Sequence, residues 1–192
     1  MARVALLDPD QTTGRVKEVF ERVKSYYRMV PSLQKALAYL PETTDALWTL
    51  SLATVQEGSI REELKRVFFA VTAYEVECEY CTTAHMLALL GKRWRTEECV
   101  AVIKGQPSPR LSDKENAAVK FARHVGRRPA AITDKMVEEL RAVGWIDSEI
   151  VEIVTSVALM RYTSTVASAL DVPLEKVMEA LTHRIPLPRR ED

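Results

Sequence analysis

The sequence predicts an all-α fold, and three observations predict it. Glycine is scarce, with six in 192 residues. No alternating stretch rich in Val, Ile or Thr lies between turn signals. Helix-start signatures recur along the chain, each followed by apolar residues at helical spacing.

The elements follow in order. Thr12 or Thr13 caps a helix to about Met29, with Val16, Val19, Phe20, Val23 and Tyr27 on one face. Pro31 interrupts it, and Ser32 to Leu40 forms a short second helix. Pro41 opens a third, to about Gln56. Ser59-Ile-Arg-Glu62 matches a capping box, Ser with Glu three residues on, and opens a helix to about Tyr74. A helix from near Cys78 to Leu90 stops at Gly91, read as its C′ residue. Thr96 opens a short helix ending by Gly105, and Pro107 and Pro109 make the next segment a connector. Ser112-Asp-Lys-Glu115 is a second capping box, for a helix to about Gly126. Helices from Thr133 to near Gly144 and from Asp147-Ser148 to about Leu170 come next. Pro173 at N1 starts the last. The chain reads as a single domain, 1–192, with a charged tail from Arg184 to Asp192 expected to be loose.

Composition narrows the function. Lys plus Arg and Asp plus Glu both number 27, so the formal net charge is zero. That gives no electrostatic case for nucleic acid or an anionic membrane as partner. The N-terminus lacks the apolar region of a signal peptide, and no apolar run nears the ~20 residues of a membrane span. The longest, Val67 to Tyr74, suits a buried helix. Three cysteines are too few for a disulfide scaffold, so a reducing cytoplasm is expected.

Residues 75–85 read Glu-Val-Glu-Cys-Glu-Tyr-Cys-Thr-Thr-Ala-His. At roughly 100° per residue, Cys78, Cys81 and His85 fall within about 60° of one helical face. A dithiol so placed can exchange electrons as a disulfide, and an imidazole one turn on can move protons. A cysteine in the first turn also feels the positive end of the helix dipole, which lowers its pKa. Bland readings stand beside this one. The two cysteines could be small apolar core residues. They could ligate zinc with His85 and either Cys99, His124 or a water, although no second paired-ligand motif exists. Cys99 lies in an apolar run and reads as core. His124 and His183 sit among basic residues and read as solvated or helix-terminal. The Tyr26-Tyr27 and Phe68-Phe69 pairs read as packing, and the sequence assigns Trp48, Trp94 and Trp145 no role.

The segment Cys78-Glu-Tyr-Cys81-Thr-Thr-Ala-His85 resembles the signature of the alkylhydroperoxidase D-like and carboxymuconolactone decarboxylase superfamily, peroxidase-related branch. Val30-Pro-Ser-Leu-Gln-Lys-Ala-Leu, Leu111 to Ala122 and Ala158 to Val172 are similar to its other segments, so the likeness spans about residues 15–178. It implies an all-α fold assembling as dimers, trimers or hexamers. It also implies a thiol-dependent peroxidase that reduces hydrogen peroxide or organic hydroperoxides without metal or other cofactor. Cys81 would be the peroxidatic thiolate and Cys78 the resolving partner. His85 would belong to the proton relay, and an external dithiol would reset the pair.

The chain departs from the family where the relay glutamate is expected, since that position is Arg66. Val76-Glu77 stands where Asn-Gly is common, and Arg161, Ser164 and Thr165 stand where the late helix often carries Asn and Arg. Glu62, Glu63, Arg66 and Tyr80 are therefore candidate relay residues, with Glu75 and Glu77 as further carboxylates. Two other readings remain: a decarboxylase-like lyase, whose chemistry needs no cysteine pair, and a non-catalytic redox-sensing oligomer.

Overall fold

The computed structural model describes residues 2–182. Among these residues there are ten α-helices, two short 3-10 turns and no strand. The helices are α1 (Gly14–Tyr27), α2 (Ser32–Leu37), α3 (Pro41–Gln56), α4 (Glu62–Glu75), α5 (Glu79–Gly91), α6 (Thr96–Ile103), α7 (Asp113–Arg127), α8 (Asp134–Ala142), α9 (Asp147–Ala169) and α10 (Lys176–Thr182). The expected tail and His183 lie outside the described residues.

Helix α4 is the axis of the molecule. Every residue from Leu64 to Ala73 is buried, because α5, α7 and α9 pack around it. Two helices can approach closely only where side chains are small. At Gly126 of α7 an added Cβ would lie 3.3 Å from the Thr72 methyl of α4. The Arg161 guanidinium of α9 donates to the Gly126 carbonyl and ties a third helix to this crossing. One buried cluster joins α4 to α6, α7 and α8. A second joins α2, α3, α5, α9 and α10, and it contains both motif cysteines.

Helix α9 corrects one expectation. It has 23 residues, and its most apolar 18-residue window has a mean hydropathy of 1.2, so by length and composition alone it could span a membrane. Here its buried side packs on α3, α4, α5 and α7, the position of a core helix.

Most element boundaries lie close to those expected, and the differences have local causes. Helix α1 stops at Tyr27 because Arg28 turns left-handed, with φ 63°. Ser112 does cap α7: its side chain accepts the Glu115 N–H while Glu115 accepts the Ser112 N–H. Ser59 does not cap α4. Its N–H and that of Ile60 instead donate to the Glu152 carboxylate of α9, and Arg61 occupies the cap position. Gly91 is the last residue of α5, and the left-handed residue that ends this segment is Arg93, φ 65°. Pro173 lies in a stretch without regular secondary structure, and α10 begins at Lys176. That stretch delivers Glu175 to α5.

Candidate redox site

The turn before α5 is built to hold a sulfur. Glu77 takes a left-handed conformation, φ 57°, and hands the chain to Cys78 in extended backbone at the N-cap. Cys78 thus stands just outside the helix, one step from the first-turn position its spacing suggested. Its Sγ takes the role that a serine or aspartate oxygen usually plays and accepts the Cys81 N–H at 3.3 Å. All three cysteines are free thiols, and all are buried.

Access and acidity are divided between the pair. Cys81 lines a cavity of about 430 Å³, and Cys78 lies behind it, 1 % exposed. The Cys81 thiol is the largest influence on Cys78 and lowers its pKa, opposed by burial. The Cys81 N–H and the hydroxyls of Ser168 and Ser164 lower it further, and the thiol comes down to about 6. Cys81 is pushed the other way, first by Cys78 and then by burial. Of the reduced pair, Cys78 is therefore the thiol whose ionised form the fold favours. Cys99 is a separate case. Burial raises it to about 12 within the α4–α6–α7 cluster, as its apolar run predicted.

The cavity is walled by apolar and aromatic groups. Tyr26, Tyr27 and Trp48 form an aromatic trio with centroids 5.0–5.5 Å apart, Tyr26 meeting both other rings edge-to-face. The Phe69 ring lies 4.9 Å from that of His85. Leu159 and Met160 of α9 complete the far side. Trp48 thus belongs to the cavity. Trp94 and Trp145 are core residues, each with a cation over its ring, Arg110 at 5.1 Å and Lys114 at 4.3 Å.

His85 lines the same cavity one turn beyond Cys81. Burial, then the Arg66 charge, push its imidazole well below the ordinary range, so it is neutral at physiological pH. Its Nδ1 is buried with no hydrogen-bond partner.

The candidate relay residues divide sharply. Arg66 lines the cavity, where it donates to Glu62 at 3.2 Å and to the Tyr26 hydroxyl at 3.4 Å. Glu62 also takes Lys92 at 3.1 Å, so two cations occupy its carboxylate outside the cavity. Glu63 is turned away. The Trp94 indole donates to it at 2.6 Å and Arg61 pairs with it. Glu75 is held by Arg123 and Arg127, and Glu77 is exposed. Tyr80 lines the cavity beside Cys81. Among the described residues no three His, Cys, Asp or Glu side chains gather at metal-ligand spacing.

The sequence reading missed Glu175. Its Oε1 accepts the Tyr80 hydroxyl at 2.9 Å and the Ser32 N–H at 2.7 Å. Glu175 is far from the motif in sequence, and no spacing rule points to it. It also missed Ser164 and Ser168 as neighbours of the sulfurs, although two serines one helical turn apart on an apolar helix were a legible signal.

No protein-family model matches the chain, and no curated protein matches it significantly. Solved structures do. A peroxidase-related protein with an alkylhydroperoxidase AhpD core, from Ralstonia eutropha JMP134, superposes with a TM-score of 0.81 at 17% identity, covering 92% of this chain and 94% of that one. A peroxidase-related protein from Silicibacter sp. TM1040 gives 0.78 at 23% identity over 92% and 93%. A cysteine-to-alanine variant of the debrominase Bmp8, in complex with 2,3,4-tribromopyrrole, gives 0.80 at 18% identity over 94% and 96%. A chain whose described residues form helices and no strand, and that superposes over nine-tenths of its length on a protein with an alkylhydroperoxidase AhpD core, has the alkylhydroperoxidase D-like fold.

Proposed function

We propose that the chain is a thiol-dependent peroxidase, a dithiol–disulfide enzyme that reduces organic hydroperoxides. The observation that carries this is the division between the cysteines: one thiol in the wall of an apolar cavity, its partner buried outside that cavity with its sulfur accepting the Cys81 N–H. A cavity of about 430 Å³ is far larger than hydrogen peroxide requires and falls in the range of small-molecule sites. Its aromatic wall suits a hydroperoxide with an apolar or ring-bearing tail.

The chemistry balances with what the pair holds. The Cys81 sulfur attacks the distal peroxide oxygen, forming an S–O bond as its S–H bond breaks. The O–O bond breaks with its electron pair on the departing alkoxide, which takes up a proton to become the alcohol. The Cys78 thiolate then attacks the Cys81 sulfenic sulfur and displaces hydroxide, closing the disulfide. An external dithiol, the required co-reductant, reopens it. Neutral His85, with a buried open nitrogen one turn away, can orient the peroxide by hydrogen bonding. A cytoplasmic setting that supplies the dithiol belongs to the same proposal. So does a homo-oligomer built on the exposed apolar face of α9, where Val151, Val154 and Tyr162 stand in solvent.

A second reading is favoured by one observation, the tribromopyrrole held by the debrominase with this fold. The same dithiol could reduce a carbon–bromine bond, giving disulfide, the hydrogen-bearing ring and bromide. Reduced protein mixed separately with cumene hydroperoxide and with 2,3,4-tribromopyrrole decides between them. The peroxidase reading expects cumyl alcohol in step with thiol loss and no bromide release. Bromide release with inert peroxide would replace that reading with reductive dehalogenation. The Cys81→Ala variant is expected to lose alcohol formation entirely.

A further inference from the structure

We propose that the cavity takes a hydroperoxide whose apolar tail ends in a carboxylate, and that Arg66 seats that carboxylate. The inference names the substrate class of the peroxidase site and rests on that reading for the reacting group. Among the described residues lining the cavity, Arg66 is the one cation. A buried guanidinium is costly unless its charge and its donors are met. Here they are met in part. Nε and Nη2 donate to one oxygen of Glu62, and Nη2 also to the Tyr26 hydroxyl. The other oxygen of Glu62 takes Lys92. Two cations thus share one carboxylate, which leaves a net positive charge at the cavity. Nη1 makes no hydrogen bond among the described residues, so part of the guanidinium fork is open. An i,i+4 pair with Glu62 is ordinary on a solvated helix face, but Arg66 is buried in an aromatic wall. A carboxylate is the ligand whose two oxygens match such a fork.

The placement suits a tail that runs away from the sulfur. Helix α4 lies against α5 with Phe69 on His85 and Glu62 at Lys92, so Arg66 stands beside the late turns of α5. Cys81 is in the first turn of α5, and His85 is one turn on. The three residues therefore follow one another along the cavity over about two helical turns, roughly 10 Å. A peroxide at Cys81 and a carboxylate at Arg66 leave room between them for a ring, and the ring meets Tyr26, Tyr27 and Trp48. Glu175, the one carboxylate among the described lining residues, does not oppose this arrangement. It is tied to Tyr80 and Ser32 at the Cys81 end, away from the Arg66 end.

Two derivatives of cumene hydroperoxide test the assignment, one with a para carboxylate and one with a para carboxamide of the same size and no charge. Reduced wild-type protein is expected to be oxidised by the carboxylate at least about 10-fold faster than by the carboxamide, the lower range for a hydrogen bond to a charged group. In Arg66→Gln that ratio is expected to fall to within about twofold of unity. A parallel titration calorimetry experiment uses 4-isopropylbenzoate and 4-isopropylbenzamide, which carry no peroxide. The benzoate is expected to bind wild type more tightly by the same factor and to lose that advantage in Arg66→Gln. Equal rates and equal affinities in wild type would overturn the proposal without recourse to any variant. So would an advantage that survives in Arg66→Gln. If wild type ignores both hydroperoxides while the benzoate binds in an Arg66-dependent way, the carboxylate seat stands and the peroxidase reading fails.

Discussion

Cys78 and Cys81 are the same residue type three positions apart, yet the fold gives them opposite acidities. The first cause is the Cys81 thiol itself, and a cap adds to it. Because Glu77 turns left-handed, Cys78 leaves the helix and its sulfur receives a backbone N–H, and two α9 hydroxyls contribute further. The Cys-x-x-Cys spacing disclosed the pair but not which member carries the charge, since the α9 hydroxyls come from more than eighty residues away. The family likeness implied a Cys81 thiolate; in the reduced fold the Cys81 thiol is pushed upward, first by Cys78 and then by burial. A direct consequence is spectroscopic. Thiolate absorbance of the reduced protein should titrate near pH 6, and the step should vanish in Cys78→Ala. In Cys81→Ala, without the largest stabilising donor, the Cys78 step should move upward. A step that stays near 6 in Cys78→Ala would reassign the charge to Cys81.

At the scale of elements, capping and proline signals located most helices, because these are local. The Ser112 box is an example in which cap residue and partner lie within one turn. The Ser59 box failed because a distant group outcompeted it. Glu152 of α9 accepts the Ser59 and Ile60 N–H groups and pairs with Lys65 of α4, a lysine only 1 % exposed. This clamp joins α4 to α9, the two helices that back the sulfurs. Gly58 is required beside it for two reasons. Its φ is +87°, and an added Cβ would stand 2.2 Å from the Glu152 carboxyl. That carboxyl cannot swing aside without abandoning two backbone donors and a buried cation. Gly58→Ala should therefore cost at least about 2 kcal/mol, the sum of left-handed strain and overpacking. Urea denaturation gives the value, and a loss under ~0.5 kcal/mol would mean that the clamp yields freely. Glu175 was illegible for the same reason as Glu152: its significance lies in contacts across the chain, with Tyr80 and Ser32, rather than in any pattern around it.

For the molecule as a whole, scarce glycine, the lack of alternating strand patterns and the recurring helix-start signatures predicted the fold class, and the structure bears that out. Charge burial then sets its response to pH. His85 is held neutral by the fold, whereas in the unfolded chain it binds a proton below about pH 6.5. The unfolded state thus carries more protons there, so stability should decline as pH falls through that value. The depressed carboxyls of Glu62, Glu115 and Glu152 contribute above their unfolded values and are lost only at lower pH. Cys78 works in another window. In the reduced protein its lowered pKa makes the folded state gain stability as pH rises from about 6 towards its ordinary value of 9. Urea midpoints of the reduced protein should rise from pH 6.5 to 8.5 by more than those of Cys78→Ala. Equal slopes would contradict a thiolate held by the fold.

The central claim is that the cavity thiol and its capped partner form one redox unit, and intact mass spectrometry tests it most directly. Reduced protein is treated with one equivalent of cumene hydroperoxide and the product mapped by peptide. The account predicts rapid loss of two hydrogens, located to a Cys78–Cys81 disulfide, with Cys99 unchanged. Oxidation no faster than that of an ordinary free thiol, or oxidation that stops at Cys81 with Cys78 intact, would contradict it.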